Sequence, residues 1–149
     1  MERTLVLIKP DAVQRGLVGE ITSRLESKGL KIVGMKLMRV SEELAGKHYR
    51  EHVGKLFFDS LVHFITSSPI VALAVDGENA VMVVRNVMGA TNPQDASNGS
   101  IRGDLGLSIG MNLVHGSDSA PSSERELGLF FDESELLDYD RDIDKWIIE

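Results

Sequence analysis

Apolar side chains come in short runs along this chain, and the spacing within each run predicts its form. Thr4–Ile8, TLVLI, is a compact β-type run stopped by Lys9-Pro10-Asp11. Leu17, Ile21 and Leu25 recur at i, i+4 and i+8, one stripe of a helix over 17–28 with Gly29 as its stop. Lys31–Val40, KIVGMKLMRV, returns toward alternation and predicts a strand. Ser41-Glu42-Glu43 then has the make-up of an N-cap with acids in the first turn, opening a helix to about Glu51. Residues 57–66 predict another helix, ended by SSP. Ile70–Val75, IVALAV, is a buried strand closed by Asp76-Gly77, and 78–88 is helical by pattern. Residues 89–110 have no period and are rich in Gly, Asn and Ser; so long a loop is usually functional. Leu113-Val114 resume a strand and 122–130 give a short helix. The tail, DYDRDIDKWIIE, carries a tryptophan and isoleucines that need a docking surface.

The resulting order is β-α-β-α-α-β-α-loop-β-α. Four strands alternating with helices predict an α/β (α+β) fold, a ferredoxin-like sandwich with a four-stranded antiparallel sheet. The helices are expected on one face of that sheet. At 149 residues the chain reads as one domain, 1–149, with no repeat.

Composition narrows the chemistry. The formal net charge of −7 disfavours nonspecific nucleic-acid binding, and an anionic ligand would need cations gathered locally. The absence of cysteine removes disulfides, thiol nucleophiles and cysteine-type zinc sites. No apolar run suits a secretory leader or a membrane span, so a cytoplasmic protein without a membrane partner is expected.

Several motifs compete for the chemistry. His48-Tyr-Arg-Glu-His52 matches the inverted zinc-peptidase pattern, with Glu51 as base. The chain offers it no clear third ligand and little room for a peptide cleft, so a solvated helix end is the plainer reading. Glycine-rich phosphate motifs are absent, so side chains must grip any phosphate. Lys9 stands at the end of the first strand, Arg85 interrupts an apolar helix and Arg102 lies in the long loop. Each has an ordinary explanation as a solvated cation. His115 sits in NLVHGSDS, between an apolar run and small polar residues, where Gly116 would let backbone approach a ligand. A neutral histidine with one nitrogen held can attack phosphorus with the other. Glu126 is a candidate to hold it, directly or through Ser117. Yet Ser123-Glu-Arg-Glu126 also reads as a capping box, and His115 as a satisfied structural histidine.

IKPDAVQRGLVGEI, GATNP, GSIRGDLG and NLVHGSDS together resemble the signatures of nucleoside diphosphate kinases, and the resemblance runs from about Thr4 to the final WIIE. It implies transfer of the γ-phosphoryl of a nucleoside triphosphate to a nucleoside diphosphate, by a ping-pong route through a phosphohistidine at His115, on Nδ1. By the same resemblance Lys9 would contact the transferred phosphate and the ribose 3′-hydroxyl. Phe57 would stack on the base. Arg85, Thr91 and Arg102 would bind phosphates, and Asn112 the sugar. Tyr49, Ser117 and Glu126 would position Lys9 and His115. Mg²⁺ would ride on the nucleotide, with Asp118 holding it through water. A homo-oligomer is implied, a hexamer first and a tetramer as the alternative, with the long loop and tail between subunits. The chain departs from the family's pattern at Leu56, where proline is common, and at Met111, where arginine is frequent. Asn86 and Ala90 are milder variations.

Overall fold

The computed structural model describes residues Met1–Glu149. Its sheet has four strands: β1 (Glu2–Ile8), β2 (Lys31–Met38), β3 (Ile70–Gly77) and β4 (Val114–Gly116). They lie in the order β2-β3-β1-β4, and every pair is antiparallel. β1 and β3 occupy the centre, which is why TLVLI and IVALAV are continuously apolar: a central strand covered on both faces has no side for polar residues. Here the expectation of helices on one face fails. Val6, Ile8, Leu73 and Val75 pack under α2 (Val18–Ser27) and α5 (Ala80–Met88). Leu5, Leu7, Ala72 and Ala74 face the other way, toward α3 (Glu42–His48), α4 (Phe58–Thr66) and α7 (Ala120–Phe130).

Local signals explain most boundaries. Gly29 follows α2 at φ +106°, a conformation that suits glycine. Ser41 caps α3, its hydroxyl accepting from the Leu44 amide at 3.0 Å. That helix stops at His48, short of the expected Glu51, and Arg50–His52 form a separate 3₁₀ turn. Pro10 does not simply end β1. It starts α1 (Pro10–Gln14), where its missing N–H costs nothing. The long loop also has structure of its own, including α6 (Ile101–Leu105) capped by Ser100.

The capping-box reading of Ser123 and Glu126 does not survive. α7 begins three residues earlier, with Ser119 as its cap. Ser123 is buried inside the helix, its hydroxyl 2.8 Å from that of Thr4. Glu126 is therefore mid-helix and free for other work. The glycine of the HGSD segment also packs tightly: a Cβ on Gly116 would meet Met88 Sδ at 3.0 Å and Val84 at 3.1 Å, so those α5 side chains would have to give way slightly. No helix is long and apolar enough to cross a membrane.

Candidate active site

β4 carries the centre of the site. Its short pairing with β1 sets His115 opposite Leu7 at the sheet edge. The entry to β4 is strained, because Leu113, a buried non-glycine residue, has φ +75°. Two bonds hold it there. The Lys9 amide donates to the Leu113 carbonyl at 2.9 Å, and the Leu113 amide donates to Asp11 Oδ2 at 3.0 Å. Asp11 thus anchors the turn that delivers the histidine, a role its sequence position did not announce.

His115 Nε2 is hydrogen-bonded to Glu126 Oε1. The ring is part-exposed, while the carboxylate is buried. Burial pushes the Glu126 carboxyl up, but the bond to His115 and the nearby imidazoles outweigh it, and the group sits below the usual glutamate range. Ser117 is buried, its hydroxyl without a partner at normal geometry, and it helps keep the Glu126 carboxylate ionised. With Nε2 engaged, Nδ1 is the ring nitrogen left for chemistry.

A second group of residues meets beside the strained turn. Lys9 Nζ donates to Asn112 Oδ1 at 2.5 Å, and Asn112 Nδ2 donates to the Thr91 carbonyl at 2.9 Å. Arg102 is buried and spreads its guanidinium over three main-chain carbonyls: Asn112 at 3.1 Å, Gly89 at 3.0 Å and Val114 at 2.7 Å. Arg85 is exposed, one nitrogen reaching the Gly116 carbonyl at 3.3 Å. None of these three cations makes an ion pair with a carboxylate. They do feel one another. Burial pushes Lys9 down to about 8, with Asp11 opposing and the charge of Arg102 adding. Burial likewise pushes Arg102 down to about 10, helped by Arg85. Cations without carboxylate partners, held close enough to repel one another, create a positive local field that attracts anions.

The aromatic candidates form a row leading outward. His48 packs on Tyr49 at 4.6 Å, Tyr49 on His52 at 6.3 Å and His52 on Phe57 at 5.2 Å between ring centroids. Phe57 ends the row 47% exposed, with Lys55 Nζ over its ring at 5.7 Å. Burial pushes the Tyr49 phenol up to about 12. Asp118 is exposed and lines one cleft with Arg85. The Ser122 and Ser119 hydroxyls, with Arg85 beyond them, hold its carboxyl low.

One neighbour was missed at the sequence level. His48 is buried against His115, ring centroids 4.8 Å apart and edge to face, with Nδ1 3.7 Å from Glu126 Oε1. Its sequence signal was read as half of a zinc motif. His52 does not share that position, because the helix breaks between them.

A family model described as nucleoside diphosphate kinase matches residues 2–136. The chain belongs to that family. A nucleoside diphosphate kinase of Staphylococcus aureus is 58% identical over 149 residues, all of both chains. One from Desulforamulus reducens is 55% identical over the same span. Among solved structures, a halophilic nucleoside diphosphate kinase from Halobacterium salinarum in complex with CDP superposes with a TM-score of 0.97 at 57% identity, over 99% of both chains. A family protein from Babesia bovis gives the same TM-score at 40% identity, over 99% of this chain and all of its own. These nucleoside diphosphate kinases share the four-stranded antiparallel fold described above.

Proposed function

We propose that the chain transfers the γ-phosphoryl group of a nucleoside triphosphate, typically ATP, to a nucleoside diphosphate through a phosphohistidine on His115. The observation that carries this reading is the His115–Glu126 pair, which occupies Nε2 and leaves Nδ1 free. In the first half-reaction the Nδ1 lone pair attacks the γ-phosphorus. The bond from that phosphorus to the β–γ bridging oxygen breaks, and the diphosphate leaves. Nε2 keeps its proton throughout, donated to Glu126, whose negative charge balances the positive charge developing on the ring. The second nucleotide reverses these steps.

The remaining residues position and neutralise, which is most of what phosphoryl transfer requires. In this reading Lys9 meets the transferred phosphate and the 3′-hydroxyl. Asn112, which bonds Lys9, reaches the sugar. Arg85, Arg102 and Thr91 take the phosphates, and Phe57 the base. Stacking accepts any base, since each has a π-face, and this suits an enzyme serving several nucleotides. Tyr49, Ser117 and Glu126 hold the others in place. The nucleotide is expected to arrive with Mg²⁺, which supplies charge neutralisation on the phosphates. An ionised, exposed oxygen donor such as Asp118 suits that hard ion through water. The enzyme is assigned to the cytoplasm and to a homo-oligomer, a hexamer before a tetramer.

The test is incubation with γ-labelled ATP and Mg²⁺ without acceptor. Protein label that is stable to alkali, labile to acid and discharged by nucleoside diphosphates is expected. If His115→Ala still labels and still transfers, the mechanism is wrong.

A further inference from the structure

His48 is the buried polar group for which the reaction has no use. Only 6% of the residue is exposed, and neither ring nitrogen has a hydrogen-bond partner. Dry, unpaired polar atoms cost free energy, so their presence needs a reason. The ring lies against Glu126 and His115, and the ligand atoms of these three side chains all fall within 4.8 Å of one another. Two imidazoles and a carboxylate are the donors of an open three-ligand zinc site.

We propose that His48, His115 and Glu126 form a site for a borderline-soft divalent metal, Zn²⁺ or its surrogate Co²⁺, and that its occupancy blocks phosphoryl transfer. The blocking half rests on the reading of His115 as nucleophile. The buried His48 ring has neither nitrogen engaged, and its Nδ1 lies 3.7 Å from Glu126 Oε1, so a nitrogen is available to a metal there. His115 presents Nε2 to the same point. A metal there takes the Nε2 lone pair, and the ring's single proton moves to Nδ1. No proton is released and nothing is oxidised, but Nδ1 no longer has the lone pair that attacks phosphorus. The converse also follows. A phosphoryl group on Nδ1 leaves Nε2 protonated against Glu126, so a metal can enter only by displacing that proton, and phosphorylation and metal binding oppose one another. Zinc ligands sit at about 2.0–2.2 Å from the ion, so two of them can stand roughly 4 Å apart. The His115–Glu126 pair must therefore part to admit the metal, while His48 needs to shift only slightly. Mg²⁺ prefers oxygen donors and keeps its waters, so it does not compete for this nitrogen-rich set.

The test is a titration of the unphosphorylated full chain with Co²⁺, without nucleotide, followed by the visible absorption of the bound ion. Saturation at one equivalent and displacement by Zn²⁺ are expected. His48→Phe, which keeps the ring's packing, and His48→Gln, which keeps a polar group, should each weaken binding by at least about tenfold. That is the lower end of what even an outer-sphere partner contributes to a metal site. Protein first phosphorylated by ATP and freed of nucleotide should bind more weakly than the unphosphorylated chain. Zn²⁺ added over excess Mg²⁺ should slow the parent and spare both His48 variants, each compared with its own rate without zinc. Absence of saturable Co²⁺ binding, or equal binding by both variants, overturns the site. A failure of the nucleophile reading looks different: Co²⁺ binding depends on His48, but phosphoryl transfer continues with the metal bound. That outcome overturns the blocking half alone.

Discussion

Lys9 is a residue whose charge the fold makes sensitive to pH in the range just above neutrality. Burial lowers its ammonium from 10.5 to about 8. The folded chain therefore binds this proton less tightly than the unfolded chain. The resulting penalty on the fold is full below about 8 and is relieved as pH rises from there toward 10.5. Nucleotide binding follows the opposite sense, because the anion needs the charged lysine. Affinity for ADP should fall as pH rises through about 8, read by calorimetric titration on either side of that value. Lys9→Gln should bind weakly at all these pH values without that fall, and an unchanged fall would remove Lys9 as its source. Phe57 makes a complementary case. Its ring is half exposed and caps no core, so Phe57→Ala should leave stability within about 0.5 kcal/mol. Its KM for nucleotide should rise by the equivalent of one base stack, about 1–3 kcal/mol. Steady-state kinetics beside a thermal melt separate the two effects, and an unchanged KM would take Phe57 out of the site.

At the scale of elements, Arg102 ties the long loop to the sheet. Its guanidinium joins Gly89 after α5, Asn112 before β4 and Val114 within it. A lysine cannot span three carbonyls with that geometry. Buried acceptors left unpaired cost about 1–3 kcal/mol each, so Arg102→Lys should lower unfolding free energy by at least about 2 kcal/mol in urea. A variant that lost activity at full stability would mean that Arg102 acts on phosphate alone. α7 offers a cleaner cap test: Ser119→Ala should cost about 1 kcal/mol, because that hydroxyl accepts from the Ser122 amide. Ser119 also marks the limit of pattern reading. The periodic stretch suggests a start near 122 and makes Ser123 look like the cap, since capping motifs are local and repeat by chance in serine-rich segments. Continuous apolar runs located β1 and β3 well, but they do not say that both faces are covered. Lys9, Arg85 and Arg102 are individually ordinary in sequence; only the fold shows that none has a carboxylate partner. His48 was hidden for the opposite reason. Its motif directed attention to His52, whereas its neighbours, His115 and Glu126, are far along the chain.

Across the whole molecule, exposed apolar side chains include those on β2, the long loop and the tail. β2 is an edge strand whose one strand partner is β3; the Leu137 amide and the Tyr139 hydroxyl donate to its Val33 and Ile32 carbonyls at 2.8 and 2.5 Å, and Met35 and Leu37 remain exposed. Leu107, Ile109 and Met111 stand exposed on the long loop. In the tail, Ile147 packs over Gly29, while Trp146 remains 81% exposed. Exposed apolar surface is a liability unless something covers it, and a single two-fold contact on β2 would leave the loop and tail bare. Closed assemblies with two different contacts solve this, and the hexamer proposed above from the family resemblance, built from a two-fold and a three-fold contact, is one of them. Sedimentation equilibrium should therefore give six subunit masses for the parent chain. Leu37→Glu places a charge on the β2 edge and should break the two-fold contact while leaving the three-fold one, giving a smaller particle. Trp146→Ala acts at a different patch, so its effect on mass should differ from that of Leu37→Glu. A parent that sediments as a monomer would defeat this reading, and four subunit masses would replace the three-fold contact with a second two-fold.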